Sequence, residues 1–246
     1  MTSLLDFVLE AHGGRERWSK VTTVSAVLRI GGPMWSMVQA PDVLGDHDVT
    51  VDLGRQHTVF HDYHQAGLRG VYTPERVTLL DENGDTLREL RDPRASFDRS
   101  AAETPWDTLQ ALYFVGYATW NYLTAPHLLT LPGVRVKELS PEQPALDPQP
   151  GLSGGWRRLA VTFPDDLTVH NSDQTFYYDE DGLQRRMDYA PQVTGGTPAV
   201  HMIDGHQEVA GIVLPTRRRV FVPDPEGPGL LPDPFITVDY SDIRVG

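Results

Sequence analysis

Four residues in the first third of the chain have the types and spacing that chemistry uses: Asp48, Asp52, His57 and His61. They lie in DVTVDL and HTVFHDY, separated by Leu53-Gly54-Arg55-Gln56, which suits a two-residue hairpin with Gly at its first central position. In that register Asp52 faces His57 and Asp48 faces His61, all on one face, with Val49, Val51, Thr58 and Phe60 on the other. Metal binding is the chemistry this suggests. Positions four apart on a strand are separated by roughly 13 Å, however, while nitrogens sharing a zinc ion must each lie about 2 Å from it. The pattern is therefore read as a solvent-facing ladder of opposite charges, and no metal site is expected.

A second set could do acid–base work. His201 or Asp188 would be the general base, and Arg186 or Arg218 would polarise a carbonyl or hold an anion. The same arginines also fit structural ion pairs with Asp188 and Glu208, and both readings stay open. No Gly-rich phosphate loop, nucleophile elbow or HExxH pattern occurs, which removes nucleotide, serine-hydrolase and zinc-protease chemistry. No cofactor is expected.

The elements that must position these residues are mostly strands. Between Gln174 and Val222, aromatic and β-branched residues alternate with polar ones across Gly-bearing turns, the mark of an antiparallel meander. Asp181-Gly182 turns the chain between TFYY and LQRRMDY; there Leu183, Arg185, Met187 and Tyr189 share one face, and Gln184, Arg186 and Asp188 the other. Of two turns available next, Ala210-Gly211 is preferred to Asp204-Gly205 because it leaves strands of ordinary length. Thr216, Arg218, Val220 and Val222 then oppose Arg217, Arg219 and Phe221.

Upstream, Thr2 or Ser3 can cap a helix carrying Leu4, Leu5, Val8 and Leu9, which Gly13-Gly14 ends. His12 sits at its end as a dipole partner. Strands follow in VTTVSAVLRI and PMWSMVQA, and a hairpin around Asn83-Gly84 pairs Leu80 with Leu87 and Val77 with Leu90. RDPRASFDRSAAE is a polar connection. Pro/Gly-rich stretches near 140–155 and 223–234 read as irregular rim loops within one domain spanning 1–246. His127 and His170 are expected to bond only locally.

One helix differs from the rest. Thr104-Pro105-Trp106-Asp107 resembles a cap, a first helical residue and a capping box, and no charged side chain follows until Arg135. Such a helix, apolar nearly all round, is buried or membrane-inserted. Gln110, Asn121, Pro126 and His127 interrupt it too often for a membrane span, so no stable membrane insertion is expected. It is read as lying in a concave sheet, where Trp106, Tyr113, Tyr117 and Trp120 either line a ligand cavity or are plain core.

Composition bounds the rest. The 246 residues carry a formal net charge of −13, which repels phosphate backbones and disfavours nucleic acid. There is no cysteine, so disulfides and thiolate chemistry are excluded. The start, MTSLLDFVLEAHGG, has an acid in its apolar part and no basic lead; a cytoplasmic protein is expected.

AHGGRERW entering VTTVSAVLRI, and later YYDEDGLQRRMDY before VAGIVLPTRRRVF, together resemble the LolA/LolB-like superfamily of lipoprotein carriers. The resemblance implies a half-open barrel of about eleven antiparallel strands, with helices plugging the concave side over an apolar cavity. It carries over no catalytic residue, and this chain lacks the carriers' secretory signal and lipidated cysteine. Two roles are expected to compete: binding of a lipid, polyketide or isoprenoid-like molecule in that cavity, or a cofactor-free isomerase, cyclase or hydrolase acting there.

Overall fold

A computed structural model of the chain describes residues 3–97, 104–140, 146 and 155–246. Most of the Pro/Gly-rich loop expected near 140–155, and the end of the RDPRASFDRSAAE connection, lie outside them. The described chain begins with helices α1 (Leu4–Ala11) and α2 (Arg15–Trp18), then strand β1 (Thr23–Gly31) and a one-turn helix α3 (Met34–Met37). Strands β2 (Gly45–Asp52), β3 (His57–His61), β4 (Arg69–Thr73), β5 (Arg76–Leu80) and β6 (Thr86–Arg91) follow. Helix α4 (Thr108–Thr124) separates these from β7 (Arg135–Leu139), β8 (Arg157–Thr162), β9 (Asp173–Tyr178) and β10 (Gln184–Tyr189). The chain closes with β11 (Ala199–Val209), β12 (Ile212–Phe221) and β13 (Ile236–Val245).

All thirteen strands form one curved, open antiparallel sheet in the order β6-β5-β4-β3-β2-β1-β13-β12-β11-β10-β9-β8-β7. That is two strands more than expected, in the expected architecture. The chain can be read straight off the sheet: hairpins extend outwards in both directions from the central β1–β13 pair. β1 shows why the strands bend round a core, since Val24, Ala26, Leu28 and Ile30 point inward and their neighbours outward. The two edge strands, TLRELR and RVKEL, are exposed and charged, which discourages further pairing.

Several sequence expectations hold in detail. Asp48 pairs with His61 and Asp52 with His57. Val209 pairs with Ile212 across Ala210-Gly211, both at positive φ (51° and 77°), as a tight hairpin turn requires. Ser3 caps α1, its side chain accepting from the Asp6 amide.

Others are corrected. PMWSMVQA is not a strand: Met34–Met37 form a helical turn, with the Trp35 indole donating to the Gly31 carbonyl. The α4 cap is Asp107, whose carboxylate accepts from the Leu109 and Gln110 amides while Gln110 reaches back to the Asp107 amide. Thr104-Pro105-Trp106 stay outside the helix because the Trp106 amide donates to Val38. Val77 does pair with Leu90, but an irregularity sets Leu80 against Thr86 instead of Leu87. A second irregularity between Gln184 and Arg186 puts Gln184 and Met187 in the same inner void, breaking the simple alternation expected of that strand. The β2–β3 turn keeps its register but spans Leu53–Gln56 without a left-handed Gly54.

Candidate functional site

Helix α4 lies in the concavity, with every residue from Ala111 to Thr124 buried. It packs most closely on β3, β4 and β5. Two glycines permit this approach: a Cβ on Gly116 would stand 2.5 Å from Tyr72 Cβ, and one on Gly70 2.8 Å from Leu112 Cδ1. Thr58 donates to the Gly116 carbonyl at 3.0 Å, and the Trp120 indole donates to the Asp52 and Arg55 carbonyls at 2.7 and 2.9 Å. This side is closed.

Towards β10–β13 the helix meets a layer of tyrosine and histidine instead. His170, from the β8–β9 connection, is fully enclosed: Tyr117 Oη lies 3.1 Å from its Nδ1 and Tyr122 Oη 2.9 Å from its Nε2. Tyr189 stacks on the same ring at 4.1 Å, and its hydroxyl lies 3.2 Å from His201 Nδ1. Burial pushes the His170 pKa down to about 3 and also holds His201 well below its ordinary value, with the Arg218 charge adding to the effect. Both are neutral at pH 7. The Tyr122 hydroxyl is pushed up to about 12 by burial.

Arg218 lies on the inner face of β12, 1% exposed. Its guanidinium sits 4.4 Å above the Tyr122 ring and donates to the Tyr122 carbonyl at 3.2 Å. Its Nε and Nη1 meet no acceptor, and among the described residues no carboxylate pairs with it. Glu208 does not reach it.

Small voids run along this looser side. The outermost is an apolar pocket of about 150 Å³, with Met34, Met37, Val222 and Phe235 at one end and Phe114, Tyr189, Ala199, Val220 and Ile236 deeper. Phe114, Val220 and Ile236 also border a void of about 20 Å³ that reaches Tyr122 and Tyr240. Tyr122 in turn borders one of about 10 Å³ beside Arg218, Gln184, Asn121 and Met187. Among the described residues the expected greasy hollow is thus a seam of small voids that share lining residues, not a wide chamber.

The other residues named from sequence are dispersed. His201 and Asp188 lie on opposite faces of the sheet, because Met187 is the residue paired with His201. Asp188 faces Arg186 in a close ion pair (2.6 Å) and accepts from Tyr177; Arg186 also stacks over that tyrosine, 4.9 Å from its centroid. Trp106 packs edge-on to Phe97, Tyr113 accepts from Arg94, and Trp120 serves the closed side. His12 is a buried neutral ring next to the Val8 carbonyl, not a charged dipole partner, because desolvation lowers its pKa. In the Asp/His ladder, Asp52 turns to Arg55 and the Gly54 amide. Among the described residues no group of three His, Asp or Glu is placed to hold a metal.

Sequence reasoning missed Met34, Met37, Tyr122, Tyr189 and Phe235 as pocket or seam residues, and the local bonding expected of His170 is overturned by its contacts with Tyr117 and Tyr122. One signal was present: a buried apolar helix that uses tyrosine where phenylalanine would do must find partners for the hydroxyls. A larger cleft of about 560 Å³ lies elsewhere, lined by Glu75, Asp92, Asp165 and Asp166 around Arg94. Arg94 is already bonded to Tyr113, Gln192 and the Val169 carbonyl, which uses three of its five N–H groups within the protein.

No family model matches the sequence, and no curated protein matches it. Among solved structures, a LolA superfamily protein from Nitrosomonas europaea is similar, with a TM-score of 0.51 at 12% identity, covering 99% of this chain and 92% of that one. A DUF1329 family protein from Desulfovibrio piger gives 0.47 at 12% identity, over 98% and 91% of the two chains. The lipoprotein LppX from Mycobacterium tuberculosis gives 0.30 at 13% identity, over 98% and 94%. The chain therefore has the LolA-like fold that its sequence pattern resembles.

Proposed function

We propose that this protein binds a lipophilic small molecule in the seam between α4 and the inner face of β10–β13. The observation that carries the reading is the apolar pocket of about 150 Å³, which shares Phe114, Val220 and Ile236 with a smaller void beside it. An apolar cavity of this size holds a benzene-sized group. A whole lipid needs more, since ligand pockets usually measure about 300–1,000 Å³. The mouth supplies the means to widen: Met34 and Met37 are unbranched and adaptable, and they sit on a single helical turn. Affinity would come from burying apolar ligand surface, at about 25 cal/mol per Å².

Of the residues named from sequence, the proposal keeps Tyr117 and Arg218 near the seam. It gives Trp106, Tyr113, Trp120 and Arg186 packing or ion-pair roles. His201 shares a face with Arg218, and Asp188 shares the other with Arg186. Asp188 is engaged in its ion pair and His201 is enclosed by Tyr122 and Tyr189, so the proposal gives neither an acid–base role. The proposal retains a cytoplasmic location, which fractionation of host cells would check. Native mass spectrometry of protein from its own host is expected to show a co-purified hydrophobic molecule. Ala199→Leu, which fills the pocket, should abolish it. Ligand-free protein that also fails to bind dodecanol would overturn the reading.

A further inference from the structure

Burying a guanidinium without a counter-charge is costly, because its hydration is lost and nothing replaces it. Arg218 is in that state: fully buried, held by one carbonyl and one ring face, with Nε and Nη1 unsatisfied. The void beside it is also lined by Gln184, whose side-chain nitrogen has no acceptor. His201 Nε2, on the neighbouring strand, is unpaired too, and Tyr122 contacts both His201 and Arg218 through its ring. Asn121 Oδ1 adds a single open acceptor at the same void. Arg218 and Gln184 thus hold donors beside this void that the protein does not use.

The seam leads to this point. Its outer pocket and middle void share Phe114, Val220 and Ile236, and its middle and inner voids share Tyr122. We infer that the ligand is an amphiphile with a carboxylate end, bound head-first, its carboxylate on Arg218 and its apolar chain running out to the Met34–Met37 mouth. This rests on the lipophilic-binding reading and narrows it to a substrate class. The energetics favour this direction of entry. The cost of desolvating the cation is already present in the free protein, so an incoming carboxylate offsets it and must overcome only its own. A void of about 10 Å³ fits one water molecule, so the head group takes its place by displacing side chains at the seam.

The test is calorimetric titration of dodecanoate, dodecanol and acetate into the wild type and Arg218→Met, with melting temperatures of both proteins without ligand. Dodecanoate should bind the wild type about tenfold or more tightly than dodecanol, as expected for a hydrogen bond to a charged group. In Arg218→Met that preference should vanish while dodecanol binding persists, and the ligand-free variant should melt higher than the wild type. Equal binding of acid and alcohol to the wild type would overturn the inference and leave lipophilic binding standing. Failure of both to bind would overturn both. Acetate binding as tightly as dodecanoate would make this a small-anion site and overturn the amphiphile. A lower melting temperature for Arg218→Met would show that Arg218 is already satisfied, and would equally overturn it; the acid–alcohol comparison on the wild type needs no variant at all.

Discussion

The two sides of α4 differ in what they are made of. Against β3–β5 glycine meets a bulky side chain, Gly116 on Tyr72 and Gly70 on Leu112, and side chains tether the helix directly, as Thr58 and Trp120 show. Against β10–β13 the gap is filled by Tyr117, Tyr122, His170, Tyr189, His201 and Arg218, with voids between them. The first side fixes the helix in the half-barrel. The first also buries the Tyr72 hydroxyl without a partner, but the second keeps more such groups and empty apolar space as well. Under the binding proposal, the first side is structural and the second is the binding face.

Substitutions should separate them. The largest effect is expected from Trp120→Ala, which empties the closed side and leaves Asp52 and Arg55 carbonyls unpaired; it should cost about 3–5 kcal/mol in urea unfolding. Gly116→Ala drives a methyl into Tyr72 and should cost about 1–3 kcal/mol by the same measurement. A Gly116→Ala protein as stable as the wild type would show that the closed side is not closed.

The open side should reveal itself through pH. His170, on this side, and His206 of β11, whose ring centroid lies 6.0 Å from that of His12, have pKa values lowered by burial to about 3 and about 4, so between these values and about 6.5 the unfolded chain binds more protons than the folded one. Their contribution is fully present above pH 6.5 and is lost as pH falls, by up to about 1.4 kcal/mol per pH unit per histidine. Urea midpoints measured from pH 7 to pH 4 should fall, and His170→Phe should flatten the fall. An unchanged slope would mean His170 is not enclosed.

Smaller effects follow. Ala199→Leu should change stability by less than about 1.5 kcal/mol, because the added volume enters existing space. Asp48→Asn and His61→Asn, on the exposed ladder, should each stay within about 0.5 kcal/mol.

Much of the sheet was legible because its evidence is local. Alternation and turn chemistry are enough to set Asp48 against His61 and to put a hairpin turn at Ala210-Gly211, as the sheet shows. Met34–Met37 misled because an apolar run of that length fits a strand and a helical turn alike, and only the Gly31-Gly32-Pro33 lead into it favours the latter. The expected Thr104 cap gave way to Asp107 because the Trp106 amide is taken by a tertiary bond to Val38. Arg186 and Arg218 look alike in sequence. Their fates differ because one has Asp188 two residues away on its own face and the other faces an interior with no acid, which only the assembled sheet decides.

Xenon is the most direct probe of the difference between the two sides. A crystal of the ligand-free protein under xenon pressure should show a bound atom in the pocket bordered by Phe114, Ala199, Val220 and Ile236, and none between α4 and β3–β5. No xenon at that pocket, or xenon on the Gly116 side of the helix, would contradict the assignment of binding to the β10–β13 face.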